Sequence, residues 1–107
     1  MHIGFILTKT PAEEGFQTFL KFINIYLGKE DLSIYLTGNG VYCAIEGYNE
    51  SLKIHRILRK TKIYAYADDL DARGIKKKQL IPGIKIFENY ETLVVALMEE
   101  MDQILSF

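Results

Sequence analysis

The chain has 107 residues, with 13 basic and 14 acidic side chains and a formal net charge of −1. Apolar residues make up 49% and charged residues 25%, which excludes a disordered, collagen-like or disulfide-scaffold chain. The length predicts one domain over 1–107 that buries roughly two thirds of its unfolded surface. A near-neutral balance gives no general field for nucleic acid or an anionic membrane.

A single cysteine, Cys43, allows no internal disulfide and no cysteine-based metal cluster. A lone thiol suits a reducing compartment. His2 to Leu7 lacks the basic flank and cleavage site of a signal peptide, and no apolar run approaches the ~20 residues of a bilayer span. The expectation is a cytoplasmic protein without membrane contact.

In chain order, Ile3 to Leu7 reads as a strand buried on both faces. Thr10 is placed to cap a helix with Pro11 at its first position, running to about Leu27. Phe16, Phe19, Leu20, Ile23, Tyr26 and Leu27 fall on one helical stripe. Leu32 to Leu36 is a second strand, broken after it by Gly38-Asn39-Gly40. Val41 to Glu46 reads as a short helix, and Asn49 caps another to about Lys60. Ile63 to Ala67 is the third strand. Asp68 to Arg73 makes one or two helical turns, stopped by Gly74, with acids at its start and Arg73 at its end. Lys76-Lys77-Lys78 lies in a loop. Ile84 to Phe87 is a short fourth strand near an edge, and Asn89 caps a last helix. Its stripe is Val94, Leu97, Met98, Met101, Ile104 and Leu105.

Alternating strands and helices predict a compact flavodoxin-like α/β domain, three-layered, with a mainly parallel sheet of four or five strands. In such sheets function gathers beyond the carboxyl ends of the strands. Three loops qualify: Thr8 to Pro11, Gly38 to Cys43 and Tyr66 to Asp69. Thr8, Lys9, Gly38, Asn39, Gly40, Tyr66, Asp68 and Asp69 are therefore the expected pocket lining. Cys43 falls in the first turn of the helix expected after Gly40, where backbone N–H groups would lower its pKa and favour a sulfur nucleophile. The alternative is a small, inert core residue.

Other features read as structural. Gly38-Asn39-Gly40 has half of a dinucleotide fingerprint but follows the second strand, so a tight turn accounts for it. His2 and His55 have no metal-ligand spacing, and Asp68, Asp69 and Asp71 are helix-start acids. No metal and no cofactor are expected. The lysine run sets no groove for phosphate. Tyrosines at 35, 42, 48, 64, 66 and 90, with the wide apolar face of the first helix, suit either a subunit interface or plain packing.

Two stretches resemble the DsrE/DsrF/DsrH family of small sulfur-relay proteins, which includes TusB, TusC and TusD. Gly40-Val41-Tyr42-Cys43-Ala44 resembles the family's "DGV" segment, with Asn39 in place of the acid. Lys62 to Ile75 is similar to the "K-V-Y-A-x-x-x-D-L-x-A-R-G" run of the DsrH/TusB branch. The resemblance implies a parallel α/β fold and homo- or hetero-oligomers of related subunits. It also implies persulfide transfer toward 2-thiouridine in tRNA or in sulfur oxidation. In the DsrE/TusD branch a cysteine ends the third strand and carries sulfur; the matching position is Tyr66, which cannot. Two roles follow: a noncatalytic subunit beside a cysteine-bearing partner, or Cys43 as persulfide carrier with Thr8, Lys9 and Asn39 supplying donors to the sulfur anion. A small-molecule or nucleotide binding domain without sulfur chemistry is the alternative from another class.

Overall fold

The computed structural model describes residues 1–48 and 50–107. Five strands form one sheet: β1 (His2–Leu7), β2 (Asp31–Leu36), β3 (Lys62–Tyr66), β4 (Lys85–Phe87) and β5 (Gln103–Ser106). The pairings between these strands are parallel, in the spatial order β4-β3-β2-β1-β5. Four helices connect them: α1 (Glu14–Tyr26), α2 (Ser51–Leu58), α3 (Ala67–Ala72) and α4 (Tyr90–Glu99). The expected α/β class and parallel sheet are present, and β4 lies at an edge. Among the described residues no helix is long and apolar enough to cross a membrane.

The period-2 alternation of strand side chains divides the core between two faces. Ile3, Phe5 and Leu7 of β1, with Ile34 and Leu36 of β2 and Ile63 and Ala65 of β3, share a buried cluster with Phe16, Phe19 and Ile23 of α1. Ile54 and Ile57 of α2 and Leu70 of α3 complete it. The other face carries Tyr35, Tyr64, Tyr66 and Phe87, packed with Leu93, Ala96 and Leu97 of α4 and with Met101 beyond it. Tyr35 stacks on Tyr64 with ring centroids 5.0 Å apart, and Tyr66 on Phe87 at the same distance. Gly4 lets α4 and the turn after it come close: a Cβ there would lie 3.2 Å from Leu97 Cδ2 and 3.0 Å from Met101 Cγ.

Four expectations need correction. Helix α1 starts at Glu14, with Glu13 and not Thr10 as its N-cap; the Thr10 N–H donates to Glu13 Oε2 at 2.7 Å, so this carboxylate organises the turn. The segment after β2 is a seven-residue 3₁₀ helix, Gly38–Ala44, and Cys43 sits at its far end. The last helix stops at Glu99, and its expected stripe divides. Leu93 is the residue fully buried there, while Val94 and Met98 are exposed. Ile104 and Leu105 belong to β5, which pairs with β1 along Ile3 to Ile6. The proposed Asn49 cap lies outside the described residues.

Candidate functional site at the carboxyl edge of the sheet

The loops after β1, β2 and β3 do converge at the carboxyl edge, and they form three linked contacts. In the first, the Thr8 N–H and hydroxyl both donate to the Phe107 carbonyl, at 2.9 and 2.8 Å, and Lys9 Nζ reaches Thr8 Oγ1 at 3.3 Å. The Phe107 N–H returns to Ile6 O at 2.8 Å. The chain after β5 thus occupies the Thr8 donors that were expected to face a sulfur anion.

The second contact ties the β2 loop to α3. The Gly38 N–H donates to Asp69 Oδ2 at 2.7 Å. Arg73 donates to Asn39 Oδ1 through Nε at 3.1 Å and Nη2 at 2.9 Å, and its Nη1 donates to the Asp69 carbonyl at 3.1 Å. Its guanidinium also lies 5.9 Å from the centre of the Tyr42 ring, within cation–π range. Asp69 and Arg73 are four residues apart, the spacing that puts two side chains on one helix face. The Asp-Leu-x-Ala-Arg-Gly run therefore clamps the neighbouring loop. Sequence reasoning placed Arg73 at a helix end but missed this bridge; the i, i+4 Asp/Arg pair was the available signal. Gly40 turns against β1, where a Cβ would land on the Leu7 carbonyl oxygen. Its N–H donates to Thr37 O at 2.9 Å. With the Gly38 and Gly40 amides both spent inside the fold, the turn has lost two of the donors a phosphate cradle needs.

In the third contact, Tyr66 ends β3, stacks on Phe87, meets Tyr90 edge-on at 5.8 Å, and donates its hydroxyl to Asp68 Oδ2 at 3.0 Å. That hydrogen bond raises the phenol pKa above its ordinary value, as burial and the nearby carboxylates do to a smaller degree. The strand tip is filled by an aromatic plug held from both sides.

Of the two readings of Cys43, the structure matches the small core residue and not the activated helix-start thiol. Its side chain is 2% exposed and packs in the larger core cluster. Burial, followed by the charge of Glu13, pushes its pKa up to about 12. The reason lies in local geometry. A helix terminus stabilises a thiolate only at its first turn, and Cys43 is next to last in the 3₁₀ segment. Lys9 offers it a carbonyl, which accepts from the thiol at 3.4 Å; an acceptor favours the protonated form. Among the described residues, no three His, Cys, Asp or Glu side chains gather to hold a metal ion.

Known proteins match this architecture. A structure titled as a protein of unknown function, MTH1491, from Methanobacterium thermoautotrophicum superposes with a TM-score of 0.85 at 13% identity, covering 99% of this chain and 98% of that one. The crystal structure of the ychN protein from E. coli superposes with a TM-score of 0.79 at 24% identity, covering 100% and 99%. Identities this low establish a shared fold. No curated protein matches the sequence. The family model described as DsrH like protein matches residues 9–104, and the chain belongs to the DsrH-like family.

Proposed function

We propose that this chain is a noncatalytic subunit of a sulfur-relay assembly, holding a like-folded, cysteine-bearing partner through which persulfide sulfur passes toward tRNA 2-thiouridine or in sulfur oxidation. One observation carries the reading: the single thiol of the chain is buried, with its pKa pushed up to about 12. Sulfur transfer begins with a thiolate attacking a sulfane sulfur. A thiol with that pKa is ionised in on the order of one molecule in 10⁵ at pH 7, and its burial excludes the donor. Tyr66 at the tip of β3 supports the same conclusion, since a phenol hydrogen-bonded to Asp68 holds no persulfide. What the edge offers is a rigid frame, because the Asp69–Arg73 clamp fixes the loop that borders this strand end.

The experiment has two parts. Incubation with a persulfide donor, read by intact mass, is expected to add no sulfur atom to this chain. Co-expression with cysteine-bearing DsrE-like homologues is expected to give a stable complex that loads sulfur on the partner. A one-sulfur adduct on this chain that Cys43→Ser abolishes would return the carrier role to Cys43. Absence of any complex would end the subunit reading.

A further inference from the structure

One helical segment on each face of the sheet carries a run of like charge, and the two runs are opposite in sign. From Glu88 to Asp102 the chain has five acidic residues and no basic one. From Ser51 to Lys62 it has five basic residues and no acidic one. The first segment contains α4 and the second α2, which pack in different core clusters.

Both segments also carry unburied apolar surface. On α4, Tyr90, Val94 and Met98 recur every four residues, one helix face, and Met98 is 79% exposed. Val95 beside them is exposed as well. On α2, Leu52 is 74% exposed, and it borders an open groove of about 540 Å³ with Leu58, Arg59 and Pro82. Among the described residues Arg56, Arg59, Lys60 and Lys62 have no ion-pair partner.

We infer that the acidic, apolar face of α4 docks on the groove and the adjoining basic face of α2 in a second copy of this chain. The inference goes beyond the subunit reading above: it concerns the contact between copies of this chain, not the contact with a cysteine-bearing partner. The patch and its complement lie on opposite sides of one molecule, so they meet only between molecules. Met98 and Val94 enter the groove beside Leu52 and Leu58, and Glu99 and Glu100 face Arg56 and Arg59. Such a contact is heterologous, and repeating it builds a ring or a filament instead of a self-complementary pair. Opposed charges at its rim set the orientation and make assembly weaken with salt.

Charge-swap variants of the full chain test it, with mass read by sedimentation and native mass spectrometry at low salt. One variant carries Glu99→Lys and Glu100→Lys; the other carries Arg56→Glu and Arg59→Glu. All four positions are exposed, and circular dichroism checks each fold. Wild type is expected to assemble. Each variant alone presents two faces of like charge and is expected to associate about tenfold more weakly or worse. Mixing the variants opposes unlike charges at both contacts and is expected to restore assembly. A monomeric wild type, assembly only with a cysteine-bearing homologue, either variant assembling like wild type, or a mixture that stays monomeric would each overturn the docking. Sulfur loading plays no part in this readout, so losing the docking leaves the subunit reading to its own test.

Discussion

Arg73 Nη2 lies 2.9 Å from Asn39 Oδ1, joining residues 34 apart in sequence at the carboxyl edge of the sheet. The guanidinium fork spans this acceptor and the Asp69 carbonyl, a geometry lysine lacks. Arg73→Ala is expected to cost about 1.5 kcal/mol, moderated because the side chain is partly exposed. A double-mutant cycle with Asn39→Ala, measured by urea unfolding, should give a coupling of about 1 kcal/mol. Additive effects would mean that the bridge contributes nothing.

Gly40 is pressed against the end of β1, with no room for a Cβ beside the Leu7 carbonyl. Gly40→Ala must displace backbone on one side. It should destabilise by about 3 kcal/mol, the upper end for overpacking, in a denaturant titration. A loss below about 0.5 kcal/mol, the size of an ordinary surface change, would contradict this approach of backbones.

The Cys43 thiol is expected to resist iodoacetamide at neutral pH and to react once the chain is unfolded. Its raised pKa also gives a signed pH dependence. Below the ordinary value of 9.0 the thiol is protonated in both states. Between 9.0 and about 12 it ionises only when unfolded, so rising pH favours unfolding. Stability of wild type relative to Cys43→Ala should fall across that window, by on the order of 4 kcal/mol in full. A parallel pair of alkaline curves would show a thiol that ionises freely in the native state.

Tyr66→Cys, made with Cys43→Ala, moves the thiol from the core to the tip of β3. Tyr66 is half-buried there, so the new thiol should label with iodoacetamide at pH 8 in the folded protein, where wild type does not. Equal protection of both would mean that the strand tip is closed. In wild type, Asp68→Asn removes the carboxylate that chiefly raises the Tyr66 phenol pKa. Ultraviolet titration should then show one tyrosine ionising at lower pH.

Phe107 stacks on Phe5 at 6.1 Å and also contacts the rings of Phe19 and Phe22. Its carbonyl holds Thr8. Phe107→Ala should cost about 2 kcal/mol, below the range for a fully buried phenylalanine. Amide exchange should quicken first in β5, the edge strand beside β1.

The sequence alone determined the α/β class, the first four strands and the helix stripe of Phe16, Phe19 and Ile23, because strand and helix periods are local properties of the chain. It also located the mouth loops, which follow from strand direction. It did not determine the fifth strand. Ile104 and Leu105 continue a helical stripe as readily as they form a strand, and the outcome turns on whether β1 offers a free edge. Nor did it determine the state of Cys43. The same thiol is activated in the first turn of a helix and suppressed at the far end of a buried one. Chain packing decided between them by turning Gly40 onto Leu7 and closing the core over the sulfur. The Asn39–Arg73 bridge likewise exists only once the crossover through α2 brings β2 and β3 side by side, since no local pattern pairs side chains 34 residues apart.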